Sequence, residues 1–144
     1  MDAVDVVIVE DNRNDVAMIL DALQESKINV KTLILKDGAE AVNYLLNPAS
    51  KFISEKMQLP RLVLLDLKLP KINGLEVLRK LKSDEWMKNI PVVVFTSSNE
   101  LQDRMESYAL GANSYLLKPS DADEFAKYIM RIVDYWVKMN VEAR

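Results

Sequence analysis

The chain has no cysteine and no histidine. Without cysteine, no disulfide can be part of the fold. Without histidine, there is no imidazole base, no phosphohistidine and no histidine-ligated metal. No apolar run approaches the roughly 20 residues that span a bilayer, and no leader pairs a charged segment with an apolar one. These absences predict a cytoplasmic protein without a membrane segment. Acidic residues outnumber basic ones, and the net charge of -3 and the pI of 5.1 argue against the clustered basic face with which proteins neutralise nucleic-acid phosphates. The expected partners are therefore other proteins. At 144 residues and 16.4 kDa, the chain reads as one domain over 1–144, long enough to bury roughly 70% of its unfolded surface.

What is present is an alternation. Residues 4 to 9, 30 to 35, 61 to 65, 92 to 95 and 114 to 117 are β-branched or leucine-rich runs bounded by polar or turn residues, and each predicts a strand. Several are apolar throughout, as in parallel sheets covered on both faces. Between them lie helical spacings: Val16, Ile19, Leu20 and Leu23; Leu75, Leu78 and Leu81; and Leu101, Met105 and Tyr108, the last set opening on Ser98 or Asn99 as cap and stopping at Gly111. Five βα units imply right-handed crossovers and a three-layer α/β/α sandwich around a five-stranded parallel sheet. The Pro-bounded stretch 47 to 60 reads as helix continuation plus loop.

Chemistry-bearing residues stand where these strands stop. Glu10 and Asp11 follow the first, Asp66 the third, Thr96 and Ser97 end the fourth, and Lys118 with Pro119 follows the fifth. In an open parallel sheet, all these ends lie at one edge, where binding crevices form. Each residue alone has an ordinary reading as a loop solvator, helix cap or strand terminator; Tyr115 by itself is a packing aromatic. As a set they describe one chemistry. Three carboxylates gathered together repel until a hard divalent cation, most naturally Mg²⁺, binds among their oxygens. A hydroxyl and an amine opposite would contact phosphoryl oxygens, and a carboxylate nucleophile would yield an aspartyl phosphate. Pro119 restricts the Lys118 backbone, and a cis bond there would aim the amine inward.

The pieces IVEDN at 8 to 12, LLDLKLPKINGLEVL at 64 to 78, VFTSS at 94 to 98 and GANSYLLKP at 111 to 119 resemble, as an ordered set, the receiver domain of two-component response regulators. The resemblance covers essentially the whole chain. It implies the flavodoxin-like strand order 2-1-3-4-5, a phosphoacceptor at Asp66, and Mg²⁺ held by Glu10, Asp11, Asp66 and the Lys68 backbone carbonyl. It implies that Lys118 pairs with the phosphoryl group. Thr96 becomes the switch hydroxyl, Tyr115 the switch aromatic and Ser97 the small residue beside the site. The implied donor is a sensor histidine kinase or phosphotransfer protein, with acetyl phosphate as a small substitute. The implied output is a changed surface on the fourth helix, fifth strand and fifth helix. No output domain is expected, and the site is expected to switch rather than turn over as an enzyme does. The 47 to 60 extension and the aromatic tail look like single-domain regulators that accompany bacteriophytochromes.

The tail has its own signal. Phe125, Tyr128, Ile129, Met130, Ile132, Val133, Tyr135, Trp136, Val137 and Met139 spread around more of a helix than covering a sheet requires. Either all of it is core with wet tyrosine hydroxyls, or part serves a homodimer or another partner. Three rival functions share the fold type. A haloacid-dehalogenase-like phosphatase would carry a second acid two residues after its nucleophile, where this chain has Lys68. A flavin-type phosphate loop would want glycines, but the chain has three in all and places Glu10 to Asp15 there, which repels phosphate unless a cation intervenes. A phosphorylation-independent interaction module would look the same in sequence.

Overall fold

The structure, a computed structural model, describes residues 4–47 and 59–143. Its elements alternate as β1 (Val6–Val9), α1 (Arg13–Ser26), β2 (Thr32–Leu35), α2 (Gly38–Leu46), β3 (Leu62–Leu65), α3 (Gly74–Ser83), β4 (Val92–Thr96), α4 (Leu101–Ala109), β5 (Ser114–Leu117) and α5 (Ala122–Val133). A π-helical turn, Asp134–Met139, continues α5. Each predicted strand is present: the first three start one or two residues later than expected, the fourth runs on to Thr96 and the fifth matches. All pairings are parallel and the order is β2-β1-β3-β4-β5, as the resemblance implied. Most of the 47 to 60 stretch lies outside the described residues; α2 itself stops at Leu46.

The period of two along the strands divides the core into two layers. Val7, Val9, Val63, Leu65, Val92 and Val94 face one side, with Ala41 and Leu45 of α2 and Val77, Leu78 and Leu81 of α3. Val6, Ile8, Leu62, Leu64, Val93 and Phe95 face the other, covered by Ile19 and Leu23 of α1 and by Phe125, Ile129 and Val133 of α5. The rings of Phe95 and Phe125 meet edge to face at 5.1 Å, a geometry that adds to simple burial. Strands apolar on both faces are what such a double cover requires.

Four helices begin on an Asn or Asp whose side chain accepts a first-turn N–H: Asn12 from Asp15, Asp37 from Glu40, Asn73 from Glu76 and Asp121 from Glu124. The exception is α4. Its cap position is Glu100 rather than Ser98 or Asn99, and no side chain caps it. The apolar stripe read from sequence also faces the wrong way for a core: Leu101, Met105 and Tyr108 are 60, 64 and 53% exposed. The inward stripe is Asp103, Ser107 and Leu110, of which only Ser107 is fully covered. The same spacing of three and four fits either face, so periodicity alone cannot choose between them.

The wide apolar arc of the last helix is divided. Phe125, Ile129, Ile132, Val133 and Val137 are core, whereas Tyr135 and Met139 are exposed and Tyr128, Met130 and Trp136 are half-buried. Arg61, just before β3, fastens the end of this segment through Nη1 to the Val137 carbonyl at 2.9 Å and Nε to Glu142 at 3.1 Å.

Candidate functional site

Ladder hydrogen bonds continue one residue past three strand ends and fix the site's backbone. The Glu10 N–H donates to the Leu35 carbonyl at 3.0 Å, the Asp66 N–H to Val9 at 3.0 Å and the Lys118 N–H to Thr96 at 2.8 Å. Behind Asp66 the chain folds back so tightly that a Cβ on Gly74 would lie 2.3 Å from the Asp66 carbonyl oxygen. Glycine is required there by close approach.

On this frame Glu10, Asp11 and Asp66 converge, each offering an oxygen within 4.8 Å of the others. Glu10 and Asp66 are buried at 2 and 7% exposure, while Asp11 is exposed. The Lys118 ammonium reaches into the cluster, 2.6 Å from Glu10 Oε1, 2.7 Å from Asp15 Oδ2 and 3.1 Å from Asp66 Oδ2. It does so without the cis bond considered from sequence, since no peptide bond among the described residues is cis. Burial, together with the Asp66 charge, pushes the Glu10 carboxyl up to about 7, even though Lys118 pulls it down. Burial also works against the Lys118 ammonium, but its hydrogen bonds to Asp15 and Glu10 and the charges of Asp66 and Glu10 outweigh it and raise its pKa.

Asp15 was not singled out by sequence reading. It stands in the first turn of α1, which brings it back over the strand ends. The available signal was an acid one helical turn beyond Asp11. Lys68 is exposed, and its N–H makes a long 3.4 Å contact to Asp66 Oδ1.

Thr96 and Tyr115 belong to a second chain centred on Ser98, which sequence reading treated only as a cap. Thr96 is fully buried, and its hydroxyl accepts the Ser98 N–H at 3.3 Å. The Ser98 carbonyl accepts the Tyr115 hydroxyl at 2.8 Å, and the Ser98 hydroxyl donates to the Asp103 carboxylate at the start of α4. Ser97 is exposed. One carbonyl and one hydroxyl on the same residue thus link the end of β4 to β5 and α4.

The family model for the response regulator receiver domain matches residues 6–130. The chain belongs to that family. Among relatives of this receiver domain, the probable methanogenesis regulatory protein FilR2 of Methanothrix harundinacea is 36% identical over 135 residues, covering 94% of this chain and 84% of FilR2. Response regulator Rcp1 of Synechocystis sp. is 35% identical over 92% of this chain and 88% of its own. The Mn²⁺-bound structure of Rcp1 superposes with a TM-score of 0.86 at 34% identity, covering 99% of this chain and 100% of that one. The phosphorylated cyanobacterial phytochrome response regulator RcpA superposes at 0.87 with 33% identity over the same shares.

The acidic cluster of this receiver domain suits a divalent cation. Its donors are hard carboxylate oxygens from three residues, Lys118 engages only one oxygen each of Glu10 and Asp66, and Asp11 is open to solvent. No helix among the described residues is long and apolar enough to cross a membrane.

Proposed function

We propose that this receiver domain is a phosphoacceptor switch in which Asp66 takes a phosphoryl group from the phosphohistidine of a sensor histidine kinase or phosphotransfer protein, or from acetyl phosphate. The observation that carries the reading is the Lys118 ammonium 3.1 Å from Asp66 within a carboxylate cluster at the carboxyl edge of the sheet. An Asp66 oxygen attacks phosphorus. The P–N bond to the donor imidazole, or the P–O bond to acetate, breaks with its electron pair on the leaving group, and Asp66 becomes an acyl phosphate. Lys118 offsets charge on the transferring oxygens. A cation, proposed as Mg²⁺ because that ion keeps waters and takes few carboxylates, would be held by Glu10, Asp11, Asp66 and the Lys68 carbonyl and would supply further neutralisation when bound.

The new phosphoryl oxygens draw the Thr96 hydroxyl away from the Ser98 N–H. Because Ser98 also holds Tyr115 and Asp103, this movement reaches β5 and α4. The surface of α4, β5 and α5 is then read by a partner or a second copy, with Leu101, Met105 and Tyr108 of α4 and Leu117 of β5 exposed on it. Water later hydrolyses the acyl phosphate, so the domain switches and does not act as a turnover enzyme on an outside substrate. The phytochrome association of RcpA favours a light-sensing kinase as donor, and the cytoplasm is the proposed setting. Incubation with Mg²⁺ and acetyl phosphate should add one phosphoryl group by intact mass to the wild type and none to Asp66→Asn. Equal labelling of both, or of neither, overturns the assignment.

A further inference from the structure

We propose that Asp15 is a positioning residue that holds the Lys118 ammonium toward α1 and competes with the phosphoryl group for it, an inference that rests on the phosphoacceptor reading. An ammonium has three N–H donors, and Lys118 has three carboxylate acceptors, after β1, in α1 and after β3: Glu10 at 2.6 Å, Asp15 at 2.7 Å and Asp66 at 3.1 Å. The longest of the three is to the residue that accepts the phosphoryl group. No donor is left over for a phosphoryl oxygen, so one contact must be exchanged or stretched when it arrives.

The three partners are not equally able to give up the amine. Side-chain exposure is 3% at Glu10, 8% at Asp66 and 17% at Asp15. Parting from Glu10 would strip the counter-ion from the driest carboxylate of the three, which must then take up a proton or stay buried as an unpaired charge. Parting from Asp15 admits water. Asp15 also lies outside the Glu10, Asp11 and Asp66 cluster whose oxygens converge, so its charge opposes an incoming phosphoryl group without a place among those donors. The ordinary alternative is that Asp15 only favours the N-terminus of α1, where a carboxylate meets the positive end of the helix dipole. That role concerns helix stability and leaves Lys118 unaffected.

The test uses the full chain with saturating Mg²⁺, titrated with beryllofluoride and followed by amide NMR shifts, in wild type, Asp15→Asn and Asp15→Glu. Asp15→Asn is expected to lower the half-saturating beryllofluoride concentration on the order of tenfold, as loss of a competing charge-assisted contact implies. Asp15→Glu retains the charge and stays near wild type. A second arm, without beryllofluoride, measures acetylation of Lys118 by an N-hydroxysuccinimide ester with peptide mass spectrometry. Asp15→Asn should label severalfold faster, which a purely helical role would not produce. Unchanged or weaker beryllofluoride binding in Asp15→Asn, or unchanged Lys118 labelling, overturns the assignment of Asp15 alone. A wild-type protein that does not respond to beryllofluoride overturns the phosphoacceptor reading, and the competition with it.

Discussion

Replacing Lys118 by methionine keeps an extended side chain and removes the cation placed among Glu10, Asp15 and Asp66. Deleting one partner of a buried ionic group commonly costs about 3–5 kcal/mol, because the charges left behind stay buried without compensation. The lower end applies here, for two reasons. Asp15 is partly wet, and Glu10 can take up a proton, since its carboxyl already titrates near 7 with the lysine in place. Loss of Lys118 raises that value further, because the ammonium's hydrogen bond and charge both lower it. At pH 8 the variant must either ionise Glu10 beside Asp66 or hold a proton against the solution, and each unit of further upward shift adds about 1.4 kcal/mol. At pH 5 Glu10 is protonated in both proteins and the penalty shrinks. The expected destabilisation is about 3 kcal/mol at pH 8 and about half of that at pH 5. Urea unfolding in EDTA would register the former as a midpoint shift of roughly 1.5 M for a slope near 2 kcal/mol/M. Mg²⁺ should restore part of the loss, since a cation among the same carboxylates replaces the missing charge. A midpoint at pH 8 equal to wild type, or a penalty identical at both pH values, refutes the claim that Lys118 compensates a buried carboxylate cluster.

Glu10 itself should leave a pH signature. Its folded value of about 7 lies above the ordinary 4.5, so the folded state binds more protons in that window and stability falls as pH rises from about 4.5 to about 7. Glu10→Gln should remove that component, so that in metal-free urea titrations the difference between variant and wild type grows across the window; a constant difference sinks the assignment. Gly74→Ala would press a methyl group against the Asp66 carbonyl oxygen and the Leu67 Cα, 2.3 and 2.5 Å from the ideal Cβ. It should cost about 2–3 kcal/mol, seen as a lowered melting temperature, together with a weakened beryllofluoride response; an unchanged melting temperature would show that the loop after β3 can move aside.

The strands and the residues at their ends were legible for a local reason. A buried parallel strand must be apolar along its length, so the first polar residue after VVIV, LVLL or VVVF marks both where the sheet stops and where a crevice opens. Glu10, Asp66 and Thr96 were found in this way. The helical stripe of α5 was legible because Phe125, Ile129 and Val133 all fall in the buried layer that α5 shares with α1 over the sheet. The stripe of α4 was equally regular and marked the helix, but not its buried face. Leu101, Met105 and Tyr108 face solvent, and Tyr108 instead accepts the Tyr115 N–H at 3.1 Å along the edge of β5. An apolar stripe on one helix face records only that the face is apolar, and a docking surface satisfies that description as well as a core does.

Sequence by itself determined the five βα units, their parallel sense and the gathering of acids and amine at one edge, because hydrophobic period, right-handed crossovers and strand termination are properties of short stretches of chain. Tertiary structure decided which groups touch. It brought Asp15 onto Lys118 across 103 positions of sequence and Tyr115 onto the Ser98 carbonyl across 17. It also turned the apolar face of α4 outward. The rotation of each helix about its axis and the direction of each side chain are set by the elements packed against it, and a local pattern carries no record of those neighbours.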